Sequence, residues 1–189
     1  MRFNNKKLAT VVAWTICTEG RASSQNARDK LQPLVQTSAH RLAIAEQVAL
    51  AKWDSGMPVE DAAREAQVIA SATKAPGSRD LDAAWVSNFF RAQIEANKLV
   101  QYSLLAEWRR LGKAPDHRPV SLAKVIRPML DRAEGTLIGE LAEAAEIRAS
   151  ASCRTDIARA EGEYVSAHKN SFTPLKAIAP DRAMAGACR

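Results

Sequence analysis

Apolar residues return every three or four positions along most of this 189-residue chain, the spacing of helices that each bury one face. Leu31, Leu34, Val35, Leu42, Ala45, Val48, Ala49 and Trp53 predict a helix from about Asp29 to Asp54, ended by Ser55-Gly56-Met57-Pro58. A second helix is predicted from Pro58, a suitable first-turn proline, to about Lys74. Trp85, Val86, Phe89, Phe90, Ile94, Leu99, Leu104, Leu105 and Trp108 mark a third, from Ser78 or Asp80 to Leu111. Gly112 to Pro119 reads as a loop. A fourth helix from about Ser121 to Ser150 carries Val125, Ile126, Met129, Leu130, Leu137, Ile138 and Leu141. A fifth, capped by Ser150 or Ser152, runs from Cys153 to about Lys169, and Pro174 and Pro180 bracket a shorter last segment. No alternating run of strand length interrupts this pattern. The chain is therefore expected to be all-α, a single-domain bundle of about five to six helices.

Composition agrees: helix formers dominate, glycine and proline number only eight each, and 47% of residues are hydrophobic. The start differs from the rest. Arg2, Lys6 and Lys7 precede an apolar run, Leu8 to Cys17, and Gly20-Arg21-Ala22 places small residues at −3 and −1 of a cleavage site. This is the layout of a secretory signal peptide, and the run is too short to span a bilayer. Residues 1–22 are read as that peptide and 23–189 as the folded domain, periplasmic or secreted, with no membrane role after cleavage. Cleavage removes four cations and one acid, which lowers the formal charge from +6 to +3. That balance, with no continuous basic stripe, argues against nucleic acid as a partner. It also leaves two cysteines, Cys153 and Cys188, and in an oxidising compartment an even pair favours one disulfide over two free thiols.

The informative polar residues fall on or beside apolar faces. Arg41 and Lys52 stand eleven residues apart, about three helical turns, so they point the same way. Asp61, Arg64 and Glu65 follow at the start of the second helix, Asn97 and Gln101 form an i, i+4 pair on the third, and Arg127 precedes Asp131 on the fourth. Any one of these has an ordinary explanation, since arginine and lysine stems lie along apolar surface with their heads in water. The combination, cations on three of four successive segments plus an amide pair on the other, suits a small dicarboxylate. The chain has no metal-ligand spacing and no glycine-rich phosphate loop, and His40, His117 and His168 are scattered. No metal or cofactor is expected.

Four blocks carry a resemblance: Ser38-Ala39-His40-Arg41-Leu42, Val48-Ala49-Leu50-Ala51-Lys52-Trp53, Pro58-Val59-Glu60-Asp61-Ala62-Ala63-Arg64-Glu65, and Gln93-Ile94-Glu95-Ala96-Asn97 continuing to Gln101-Tyr102. In order and spacing they resemble the successive motifs of the all-helical chorismate mutases, above all the secreted gamma subgroup. The likeness spans roughly Leu31 to Leu141. It departs at Ala45-Glu46-Gln47-Val48, where the family commonly has Asp-Pro before the valine.

The resemblance implies conversion of chorismate to prephenate, a pericyclic rearrangement that needs no nucleophile and moves no proton. By analogy Arg41, Arg64 and Arg127 would clamp substrate carboxylates. Lys52 would reach a carboxylate and the ether oxygen, Gln101 the same oxygen from the other side. Glu65, with the backbone near Asp61, would hold the ring hydroxyl, and Asn97 would sit near the ring carboxylate. Lys52, Gln101 and Arg64 would be the catalytic group. A homodimer is compatible with the resemblance. The competing function is a non-catalytic exported helical protein that binds a small dicarboxylate with the same cations.

Overall fold

The structure is a computed structural model that describes residues 9–78, 80–169 and 174–189, without the side chains of 9–24, 76 and 174–177. The described residues form seven α-helices and no strand. They are α1 (Ala9–Ser55), α2 (Ala62–Lys74), α3 (Ala83–Leu111), α4 (Arg127–Glu143), α5 (Ala145–Arg148), α6 (Cys153–Ala167) and α7 (Pro174–Met184). The all-α bundle expected from periodicity is present. The helix beyond the expected five to six is the four-residue α5, too short to leave a periodic signal.

Helix α1 is the spine, 47 residues long and so about 70 Å, and it packs on α3, α4, α6 and α7. Leu31, Leu34 and Val35 enter one apolar cluster with Phe89, Phe90, Leu137, Leu141 and Ile157. Leu42, Ala45 and Ala49 enter a second with Ala96, Val100 and Leu104 of α3. Facing alanines let the two helix backbones approach closely along this seam. Trp53 and Trp108 meet edge to face at 6.0 Å and hold the far ends of α1 and α3 together.

Several boundaries differ from those expected. Helix α1 begins by Ala9, twenty residues before Asp29. The lone Gly20 costs a helix only about 1 kcal/mol, too little to end it. The basic start of the expected signal peptide lies outside the described residues. Helix α2 begins at Ala62, not Pro58, because the Asp61 side chain caps it by accepting from Arg64 N at 3.1 Å. Asp82 caps α3 in the same way, so α3 starts later than Ser78 or Asp80. Gly112, at φ 73°, ends α3 as expected. The expected fourth helix opens as a π-helical turn, Leu122–Ile126, in which Ile126 N donates to Ser121 O at 3.2 Å. Pro128 lacks an N–H and crowds the carbonyl four residues back, which accounts for the wider turn. Neither Ser150 nor Ser152 caps α6 through its side chain; the Ser150 hydroxyl donates to Ile147 O instead. Pro180 lies inside α7 instead of bounding it, since packing along α3 overrides its local preference.

The chain closes with a Cys153–Cys188 disulfide, whose Cα atoms are 5.9 Å apart. It ties the segment after α7 to the start of α6. A bridge across 35 residues stabilises the fold by roughly 3–4 kcal/mol on the loop-entropy account. No described helix is long and apolar enough to cross a membrane.

Candidate active site

Beside the apolar seam of α1 runs a second stripe, Arg41, Val48 and Lys52, at spacings of seven and four residues. It lines a cavity, partly open to solvent, bounded by α1, α2, α3, α4 and the π-helical turn. Arg41 is only 4% exposed, and its Nη1 donates to Leu130 O at 3.1 Å while Nε has no partner. Burial pulls this guanidinium down to about 10, against the opposing pull of Glu134 and Asp131. Lys52 is buried too; its Nζ donates to Val59 O at 2.5 Å and anchors the loop before α2. Desolvation lowers its pKa from the ordinary lysine value, opposed chiefly by Asp61 and Glu65.

The start of α2 supplies the next group. The two oxygens of Asp61 divide their work: Oδ1 caps the helix, and Oδ2 accepts from Arg127 Nη2 of α4 at 3.0 Å. Arg64 of α2 reaches across the other way and pairs with Asp131 of α4. Two ion pairs therefore cross between α2 and α4 in opposite directions over the cavity. Glu65 Oε1 accepts from Asp61 N at 3.3 Å, which fixes the carboxylate beside the helix start.

Helix α3 forms the remaining wall with a polar stripe at intervals of four. Asn97 donates from Nδ2 to Arg41 O on α1 at 3.1 Å, and its Oδ1 accepts from Gln101 Nε2 at 2.7 Å. Gln101 is buried, with Oε1 unpaired. One turn before them, Gln93 belongs to the core, donating to Ser38 Oγ and Ala183 O.

All eight residues named from the sequence as ligand contacts line this one cavity: Arg41, Lys52, Asp61, Arg64, Glu65, Asn97, Gln101 and Arg127. The sequence reading missed Lys98 and Glu134. Lys98 was hidden as an ordinary charged residue next to Asn97, yet it stands within reach of three carboxylates. Glu134 is buried beside Arg41, and desolvation pushes its carboxyl up; its i, i+7 spacing from Arg127 was the available signal. Five cations and four carboxylates face the space, together with Val48, Val59, Val68, Ile94, Leu122 and Leu130. No histidine, cysteine or serine is among the described lining residues. Nor do the described residues hold a cluster of three or more metal-ligating side chains. Such a wall can grip a compact anion at two ends while apolar side chains keep water from its middle.

Comparison with known proteins gives a consistent picture. Residues 32–102 match the family described as chorismate mutase type II. A secreted chorismate mutase of Mycolicibacterium smegmatis is 32% identical over 159 residues, covering 84% of this chain and 86% of that protein. A secreted chorismate mutase of Mycobacterium tuberculosis is 27% identical over 144 residues, covering 76% of this chain and 72% of its own length. Among solved structures, a chorismate mutase from Burkholderia phymatum superposes with a TM-score of 0.80 at 44% identity, covering 86% of this chain and 98% of that one. A cation-lined cavity assembled from four helices of one chain, together with these likenesses over most of its length, means that the chain belongs to the type II chorismate mutases.

Proposed function

We propose that the α1–α4 cavity binds chorismate and isomerises it to prephenate by holding the substrate folded and offsetting the charge that develops as its ether bond breaks. The observation that carries this reading is the convergence of Arg41, Lys52, Arg64 and Arg127, from three helices, on one cavity. The reaction is unimolecular, so the protein has two tasks. One is to select the reactive conformer of a flexible dicarboxylate; the other is to place fixed donors where negative charge grows.

In this reading the guanidinium groups of Arg41, Arg64 and Arg127 receive the two carboxylates in forked contacts. Lys52, held by Val59 O, keeps further N–H groups free for a carboxylate and for the ether oxygen. Gln101 gives one Nε2 hydrogen to Asn97 and retains a second for the ether oxygen. Being neutral, it needs no proton uptake to donate. Glu65 accepts from the ring hydroxyl. Asn97 ties Gln101 to the backbone of α1 and so sets its direction.

The same reading has the protein secreted, in keeping with the names of its relatives and with a disulfide across its C-terminal part. Removal of residues 1–22 is part of the proposal, resting on the basic start and the short apolar run. The test is direct. Purified chain is mixed with chorismate, loss of its ultraviolet absorbance is followed, and acid conversion of the product to phenylpyruvate identifies prephenate. Saturable binding of chorismate with no turnover would sink the catalytic reading.

A further inference from the structure

Lys98 is the cation of the cavity wall that the substrate scheme leaves without work. It sits on α3 one residue after Asn97, and its side chain is only 12% exposed. Three carboxylates from three parts of the chain surround its ammonium group. Glu95 of its own helix lies at 2.8 Å, Glu60 of the loop before α2 at 2.9 Å, and Glu65 of α2 at 3.4 Å. Glu60 is in turn held from its other oxygen by Tyr102 Oη at 2.7 Å. Burial alone would pull the lysine down, but hydrogen bonds to Glu95 and Glu60 and the charge of Glu65 win, so it stays fully protonated.

We propose that Lys98 is a positioning residue for the mutase reaction, holding Glu65 in place and offsetting part of an acidic edge that would otherwise repel the doubly negative substrate more strongly. The inference rests on the functional reading above. Two geometric facts support it. First, Glu65 is fixed from both sides, by Asp61 N on Oε1 and by Lys98 on Oε2, so its acceptor directions are set by one backbone and one side-chain donor. Second, without Lys98 the glutamates Glu60, Glu65 and Glu95, of which Glu65 lines the cavity and the other two stand outside it, would leave three uncompensated negative charges beside a space proposed to receive two more. One ammonium within hydrogen-bond reach of all three lowers their net charge from −3 to −2 and weakens that field at its source. Lys98 itself faces carboxylates of the protein, and its effect on the substrate passes through them.

The test measures kcat and KM separately, at low and at high salt, in the full chain. Lys98→Met is expected to raise KM for chorismate about tenfold, with kcat changed less, and added salt should relieve part of the loss by screening the exposed acids. Lys98→Arg should recover most of the wild-type KM. Adding Glu60→Gln and Glu95→Gln to Lys98→Met should also recover it, because the repelling charges are gone. A packing role for the lysine would not be rescued in this way. The pair Glu60→Gln, Glu95→Gln in an otherwise unchanged chain keeps the idea testable should Lys98→Met not fold, and it should lower KM by about two- to threefold. Unchanged KM in Lys98→Met, or no gain from neutralising the two glutamates, overturns the proposal while leaving the function intact. Absence of turnover in the unaltered chain overturns both.

Discussion

Two guanidinium groups are buried among the described residues, and their surroundings differ. Arg41 lies at the cavity and Arg148 under the C-terminal staple, and burial pulls each down to about 10. Each also leaves one nitrogen unpaired, Nε of Arg41 and Nη2 of Arg148, so an unmet donor by itself does not mark a ligand site. Their company separates them. Arg148 donates to Leu141 O at 2.7 Å and to Ala187 O at 3.0 Å, and its guanidinium lies 3.6 Å over the ring of Trp85. It is a rivet between α4, α5 and the tail that carries Cys188, with packed protein on every side. Arg41 has one backbone acceptor, open space before it, and Glu134, Asp131 and Arg64 within electrostatic range. The aromatic contact does not separate them, since the Arg41 guanidinium also lies 5.9 Å from the Phe90 ring centre; what differs is that carbonyls and packed side chains close in Arg148, whereas Arg41 borders a cavity shared with other charges.

The largest expected effect that sharpens this contrast is on the site side. Lys52→Ala should lower kcat/KM by a hundredfold or more, about 3–4 kcal/mol of lost transition-state stabilisation, with the helical fold intact by circular dichroism. The protonated amine is costly to bury, since its folded pKa lies below its unfolded one. Its removal relieves that cost but also takes the donor from Val59 O, so the thermal midpoint at neutral pH should move by only a few degrees while the rate falls steeply. Turnover within a few-fold of the unaltered chain would remove Lys52 from the site. For the same reason the unaltered enzyme should lose activity at alkaline pH, along a limb below 10.5.

Next comes the rivet. Arg148→Met should cost about 3 kcal/mol of stability, because two buried carbonyls and the stack on Trp85 lose their partner. Urea unfolding measures this, and the kcat of the folded fraction should stay within about twofold of normal. A large fall in kcat with unchanged stability would reverse the assignment of the two arginines.

Arg64→Lys probes the crossed ion pairs with a smaller change. A point charge replaces a planar fork that already engages Asp131 and Gln67, and kcat/KM should fall about tenfold. Equal rates for the two proteins would show that a forked donor is not required there.

The smallest effect belongs to Glu161 on α6, a buried carboxyl pushed up to about 8 by desolvation and by Asp181 on α7. Its proton is held more tightly in the folded chain than in the unfolded one. It therefore withdraws stability as pH rises from about 4.5 towards 8, and withdraws most above that range. Glu161→Gln should raise the thermal midpoint at pH 9 by a few degrees and leave it nearly unchanged at pH 4.5. Parallel pH profiles for both proteins would disprove the assignment.

What the sequence determined by itself was the helical period, the stops at Gly56 and Gly112, and a set of residues that line one cavity. Those residues were legible because a helix converts spacing into direction: Arg41 and Lys52, or Asn97 and Gln101, share a face whatever the rest of the chain does. The pairing of Cys153 with Cys188 was legible because only two cysteines follow the leader-like segment. Tertiary structure decided the rest. That Asp61 caps α2 and also takes Arg127, that Lys98 gathers glutamates from three segments, and that Glu134 is buried beside Arg41 all depend on how α2, α3 and α4 lie against one another. The burial of Arg148 was beyond the sequence for the same reason. Burial and charge company are properties of neighbours far along the chain, and residue spacing within one helix carries no information about them.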